Sequence, residues 1–208
     1  MVKKYRNMSR VQENKNMRRL NSAFVAFGAN LASGEFSPRQ NVLAAIETLR
    51  ERTGGTIRSS RLWRTPAFPP GAGPDFVNAV VALEWEGSPR DLLALLHEIE
   101  EQFGRRRNAR WEARIMDLDL LAFGNEVLPD REEFLRWAEM PAEKAAGVTP
   151  VRLVLPHPRM AERGFVLAPL AEVAPDWRHP VFGGTVAEML ADLPAEALAG
   201  VVPLGPED

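Results

Sequence analysis

Two Ser-Pro pairs, Ser37-Pro38 and Ser88-Pro89, constrain the fold of this chain more than any other feature, because each marks a helix start between runs that read as strands. Serine is a strong N-cap and proline is tolerated at the first helical position, where its missing N–H has no intrahelical partner. After the first pair, Val42, Ala45, Ile46 and Leu49 repeat at helical spacing up to Gly54-Gly55; after the second, Asp91 stands at the third helical position and Leu92, Leu95, Leu96, Ile99 and Phe103 form the apolar stripe up to Gly104. Strands are expected at 22–27 (SAFVAF), 57–63, 76–85 and 115–123. The order is β-α-β-β-α-β, the split arrangement of a ferredoxin-like α+β sandwich. An antiparallel sheet covered by helices on one side is expected, with the other side left open for long loops and a ligand.

The segment from Arg105 to Asp119, RRRNARWEARIMDLD, carries the chemistry. Side chains alternate along a strand, so Asp117 and Asp119 project from one face while Met116, Leu118 and Leu120 project from the other. Magnesium favours a few carboxylates together with waters and the oxygens of a substrate phosphate, so this spacing suits two ions bridging a triphosphate. Arg105, Arg107 and Arg114 supply planar forks that grip phosphate oxygens in pairs and neutralise charge on a transferring phosphoryl group.

Composition narrows the classes. The 208 residues are 45% hydrophobic and 26% charged, enough for one well-buried core, and the net charge of −2 offers no general attraction for nucleic acid. There is no cysteine, which excludes disulfides and a thiol nucleophile and fits a reducing compartment; a cytoplasmic, monomeric protein is expected, bound to neither membrane nor nucleic acid. Residues 1–21 carry seven Lys and Arg against one Glu without apolar periodicity and read as a disordered basic tail. Residues 22–190 read as one domain with a charged helical insertion at 130–149, in which Phe134, Leu135 and Trp137 are the apolar contacts, and 191–208 as a C-terminal tail. No GxxxxGK sequence followed by Ser or Thr is present, so phosphate binding rests on arginines and metal.

Seven separated motifs then accumulate: FVAFGANL (24–31), Arg64-Thr65-Pro66, PDFVNA (74–79), residues 105–119, FGNEV (123–127), Pro156-His157-Pro158 and Arg163-Gly164-Phe165. Their order and spacing resemble the 6-hydroxymethyl-7,8-dihydropterin pyrophosphokinases of the folate pathway over about residues 22–190. The resemblance implies a ferredoxin-like fold and transfer of the diphosphate of ATP to the hydroxymethyl group of a reduced pterin, releasing AMP. It also implies that Asp117 and Asp119 hold two magnesium ions, and that Arg105, Arg107, Arg114, Arg152, His157 and Arg163 embrace the triphosphate. His97, Glu100 and Leu120 are implied for the nucleotide pocket, with Trp111 as its lid. On the pterin side it implies that Phe76 and Phe165 sandwich the ring, that Asn78 reads its aminopyrimidinone edge, and that Thr65, Pro66, Ala67 and Phe68 supply backbone groups. Ala29 replaces a common serine, Ala67 a usual proline, and the loop at 104–111 is one residue shorter than is common; none of these touches the aspartates or arginines. Two other readings stay open: a catalytically lapsed paralogue that binds pterin or nucleotide, and a ferredoxin-like RNA-binding module with the arginine loop as phosphate grip.

Overall fold

The computed structural model describes residues 20–67, 73–104, 115–141, 144 and 148–205. Six strands form one sheet: β1 (Asn21–Ala29), β2 (Ile57–Ser59), β3 (Trp63–Thr65), β4 (Phe76–Trp85), β5 (Asp117–Phe123) and β6 (Val202–Pro203). Their order is β5-β1-β4-β3-β6, with β2 also paired to β4, and every pairing is antiparallel. The chain orders β1, β4 and β5 as a ferredoxin-like sandwich requires. β1 and β4 run side by side over nine pairs, from Asn21↔Trp85 to Ala29↔Val77, and are apolar because both are interior strands.

Helices α1 (Pro38–Thr53) and α2 (Pro89–Gln102) begin where the Ser-Pro pairs place them. The Ser37 side chain accepts from the Gln40 N–H while the Gln40 side chain accepts from the Ser37 N–H, and Ser88 and Asp91 repeat that exchange. Their stripes, among them Val42, Leu49, Leu92, Leu96 and Ile99, pack on Val25, Phe27, Val81, Leu83, Leu118 and Leu120 as the first core.

The strand expected over 57–63 is two strands, and the reason lies at Ser60. Its N–H donates to the Val80 carbonyl at 2.9 Å and its hydroxyl accepts from the Val80 N–H at 3.0 Å, so one residue takes both sides of a ladder position. Ser59 pairs with Val81 but Trp63 pairs with Asn78, four steps on one strand against three on the other. That one extra residue is a bulge, and it turns the side chains of Trp63 and Thr65 to the opposite face. A second bulge lies in β5: Leu120 pairs with Val25 and Ala122 with Phe24, leaving Leu121 between them.

The second face is not left open, contrary to the expectation of a one-sided sandwich. Helix α3 (Arg131–Ala138) follows β5, and α4 (Gly164–Val173) then lies across the second face with α5 (Val186–Ala191) beside it. Met160, Val166, Leu167, Leu170, Val173, Val186 and Met189 bury Phe24, Val80, Ala82, Leu121 and Ala122 there as a second core. The segment GFVLAPLAEV is almost wholly apolar, so it can be stable only when covered on most sides, as it is here. Among the described residues, this cover stops at the end of the face beyond Ala26 and Val80.

The charged stretch after Asp130 forms α3, held by Phe134, which is fully buried against His179 and Phe182. The stretch after 190, set apart in the sequence as a tail, contributes α6 (Ala195–Leu198) and β6, the latter paired to β3 through Trp63↔Pro203 and Arg64↔Val202. No helix among the described residues is long and apolar enough to cross a membrane.

Candidate active site

Pairing register assembles the site on the open end of the second face. Gly28 stands opposite Asp117 of β5 on one side and Asn78 of β4 on the other, so Asp117, Gly28 and Asn78 make one row across three strands. Ala26 stands opposite Asp119 and Val80 in the next row, and Phe76 opposite Thr65 in the row beyond Asn78. Side chains directly across an antiparallel ladder share a face, so both aspartates, Asn78, Phe76 and Thr65 point the same way. Gly28 keeps the middle of this row clear: a Cβ there would lie 3.0 Å from the Asn78 Oδ1 and 4.0 Å from Phe76.

Asn78 is buried, and its Nδ2 donates to the Thr65 hydroxyl at 2.8 Å. That bond uses one of the two amide N–H donors and fixes Oδ1 toward the space above Gly28, an acceptor placed for an amino or ring N–H. Thr65 and Ala67 are buried, Pro66 is exposed, Phe76 is half-buried and Phe165 is 38% exposed, as large apolar side chains are when a ligand completes their burial.

On the other side of the aspartates, the Leu121 carbonyl accepts from the His157 N–H at 2.6 Å, so the second bulge fixes the Pro156-His157-Pro158 turn along the edge of β5. The His157 Nδ1 accepts from the Arg159 N–H at 3.1 Å, which makes the neutral tautomer carry its hydrogen on Nε2. Burial and the adjacent Arg163 charge push the His157 pKa down to about 3, so at neutral pH this is an uncharged Nε2–H donor. Arg163 faces Asp119 and Asp117; burial lowers its pKa and the two carboxylates oppose that shift. Its guanidinium carbon lies 5.6 Å from the centre of the Phe165 ring. One arginine therefore sits beside the aromatic wall and within the field of the carboxylate pair.

The two aspartates suit a hard divalent cation. They are half-buried, lie on one face and have only glycine and alanine beside them on β1. Among the described residues no group of three or more His, Asp or Glu gathers to hold a metal, and magnesium asks for no such cage, since it keeps waters and takes phosphate oxygens.

The remaining expected residues divide. Glu100 is buried at the back of β5, where one carboxylate oxygen accepts from the Leu118 N–H at 2.9 Å, and His97 lies one turn earlier on α2, half-buried. Leu120 is buried in the first core. Arg152 is exposed and lines, with Asp130, Glu133, Arg136 and Trp137 of the α3 region, a cavity of about 230 Å³. Arg105, Arg107, Trp111, Arg114 and Phe68 lie outside the described residues. Sequence reasoning had assigned no role to Gly28, to Arg159 beside His157, or to Trp63 across from Asn78. Strand pairing reveals Gly28 and Trp63, and the tight turn after Pro156 reveals Arg159, because nothing in the sequence distinguishes these residues from an ordinary turn glycine, a strand aromatic and a surface arginine.

Comparison with known proteins gives a consistent result. Residues 24–175 match the family model described as 7,8-dihydro-6-hydroxymethylpterin-pyrophosphokinase (HPPK). A 2-amino-4-hydroxy-6-hydroxymethyldihydropteridine pyrophosphokinase of Synechocystis is 36% identical over 87% of this chain and 80% of its own length. One of the same name from Pseudomonas aeruginosa is 38% identical over 84% of this chain and 93% of its own. Among solved structures, Plasmodium falciparum HPPK-DHPS, crystallised with pterin and p-hydroxybenzoate, superposes with a TM-score of 0.57 at 14% identity. That alignment covers 85% of this chain and 44% of the other, a likeness of fold. By the extent of the family match and the identity to these relatives, the chain belongs to the 7,8-dihydro-6-hydroxymethylpterin-pyrophosphokinase family.

Proposed function

We propose that the chain transfers the β,γ-diphosphate of ATP to the hydroxymethyl oxygen of 6-hydroxymethyl-7,8-dihydropterin, a step of folate biosynthesis. The substrate oxygen forms a bond to the β-phosphorus, the bond from that phosphorus to the oxygen bridging to the α-phosphorus breaks, AMP leaves and the hydroxyl proton passes to solvent. The observation that carries this reading is the row Asp117–Gly28–Asn78: an anionic pair suited to a metal triphosphate and an amide suited to a pterin edge, separated by a residue with no side chain.

Phosphoryl transfer needs alignment and charge neutralisation more than a strong base. Magnesium held by Asp117 and Asp119 supplies Lewis-acid neutralisation of the triphosphate; two ions are proposed. His157 donates from Nε2 to a phosphate oxygen, and Arg163, already drawn to the carboxylates, turns its second edge to the same group. Arg105, Arg107, Arg114 and Arg152 complete the cationic lining, and Trp111 covers the nucleotide. Glu100 acts by bonding the backbone of β5 next to Asp117 and Asp119, with His97 and Leu120 behind the nucleotide. Phe76 and Phe165 hold the flat ring between them, where stacking adds to burial. Asn78 accepts from its N–H edge, and Thr65, Pro66, Ala67 and Phe68 supply backbone groups. A cytoplasmic monomer acting on small molecules alone fits this reading.

The test is AMP release from ATP and magnesium, with and without 6-hydroxymethyl-7,8-dihydropterin, run beside Asp119→Ala. Pterin-dependent AMP that the variant lacks supports the reaction and its metal site together. Calorimetric binding of pterin or nucleotide without AMP would replace this reading with a lapsed binder.

A further inference from the structure

The C-terminal stretch touches both walls of the pterin site at once. β6 extends the sheet beside β3, Leu204 N–H donates to the Leu62 carbonyl at 2.8 Å, and the Arg39 Nη1 donates to the Gly205 carbonyl at 3.1 Å, so the chain end is tied to the sheet and to α1. Just before β6, Gly200 has φ +73°, and a Cβ on it would lie 2.6 Å from Cγ and 3.0 Å from Cδ of Pro66. Just before that, α6 meets the start of α4: a Cβ on Gly164 would lie 2.1 Å from the Ala197 carbonyl oxygen and 3.0 Å from Leu198. Gly164 separates Arg163 from Phe165, and Pro66 follows Thr65. One compact turn, 195–201, therefore abuts the Thr65–Ala67 segment on one side and the Arg163–Phe165 segment on the other.

Both contacts are backbone-close and both depend on glycine. At Gly200 the left-handed conformation disfavours any side chain, and the first carbon added would enter the Pro66 ring. At Gly164 the obstacle is a carbonyl oxygen of the backbone, which cannot rotate aside as a side chain can. We infer that Gly200 and Gly164 are positioning residues for the pterin site, and that the turn 195–201 sets the spacing between the Thr65–Ala67 wall and the Phe165 wall. This rests on the pterin reading of that site and extends it to a stretch that lies beyond the family match, which ends at residue 175.

A flat ring held between two walls tolerates little change in their separation, because stacking contact on both faces is lost as the gap widens and overlap sets in as it narrows. The two glycines separate the effects. Among the described residues a Cβ on Gly200 would meet Pro66 alone, so Gly200→Ala should weaken pterin and spare nucleotide. Gly164 lies between Arg163 and Phe165, so Gly164→Ala should weaken both.

The experiment is calorimetry on the full chain with 6-hydroxymethylpterin, in the presence and absence of α,β-methylene-ATP and magnesium, with circular dichroism and thermal melts to verify folding. Gly200→Ala is expected to raise the pterin Kd about tenfold while the nucleotide Kd stays within twofold. Adding Pro66→Ala, which removes the ring carbons that the new methyl would strike, should restore part of the loss, an effect that general destabilisation would not give. An unchanged pterin Kd in a folded Gly200→Ala variant would overturn the inference, and so would equal weakening of both ligands. A wild type that binds pterin but forms no AMP would defeat the reaction proposed above and leave this inference standing; a wild type that binds no pterin defeats both.

Discussion

The two faces of the sheet carry nearly the same strands and end in opposite uses. On the face under α1 and α2, Val25, Phe27, Val81, Leu83, Leu118 and Leu120 continue the apolar surface along most of each strand. On the other face, Phe24, Ala82, Leu121 and Ala122 do the same for half the length, and then the row turns to Gly28, Asn78, Asp117 and Asp119. The difference lies in what covers each face. α4 begins beside Arg163 and Phe165 and runs toward Phe24, where Trp177 meets it edge-on with ring centres 5.5 Å apart. The site opens where the apolar cover ends, so a single helix start decides both how far the second core extends and where the paired Arg163 and Phe165 side chains stand.

If the faces divide labour in this way, substitutions on them should separate activity from stability. The largest effect is expected at the carboxylates: Asp119→Ala should lower kcat by about a thousandfold or more, about 4 kcal/mol of transition-state stabilisation, with the melting temperature little changed. Steady-state AMP formation beside a thermal melt checks this, and wild-type turnover in the variant would break the comparison. The opposite pattern is expected from Leu96→Ala in the first core, where the side chain is fully buried: a loss of about 3–5 kcal/mol in urea unfolding, with kcat of the folded fraction retained.

His179 tests the far end of the second face. It is fully buried among Phe134, Trp177 and Phe182, and its Nδ1 accepts from the N–H groups of Val181 and Phe182. Burial pushes its pKa down to about 4, below its ordinary 6.5. The unfolded chain therefore binds this proton more readily than the folded one, so the stabilisation is complete above pH 6.5 and is lost as pH falls toward 4. It amounts to about 3 kcal/mol, and His179→Gln should flatten the fall in unfolding free energy between pH 7.5 and 4.5. An equal slope in the variant would place the titration elsewhere.

The smallest effect sharpens the comparison within the site. Gly28→Ala adds one methyl 3.0 Å from the Asn78 Oδ1, so the KM for pterin should rise about tenfold, about 1.4 kcal/mol, with little change in stability. An unchanged KM would move the pterin edge away from Asn78.

Several of these features were legible before the fold was known, and for local reasons. The Ser-Pro helix starts at 37–38 and 88–89 stand where expected because a cap and a proline act within one turn. Asp117 and Asp119 share a face because strand side chains alternate whatever the strand pairs with. Other features were out of reach. The stretch 57–63 reads as one strand, since a hydroxyl can take a ladder position only when a particular partner, Val80, is beside it. The second cover was missed because α4 is apolar all round and carries no directional stripe to show which face it will cover.

What this sequence determined by itself was the set of elements, their starts and the residue types of the site, all encoded within a few neighbouring positions. Tertiary structure alone decided the register. The bulge at Ser60 turns Thr65 toward Asn78, the bulge at Leu121 offers a carbonyl to His157, and pairing puts Gly28 between Asp117 and Asn78. Each of these joins residues far apart in the chain, and because strand side chains repeat every two residues, a slip of one would have sent the same side chains into the first core.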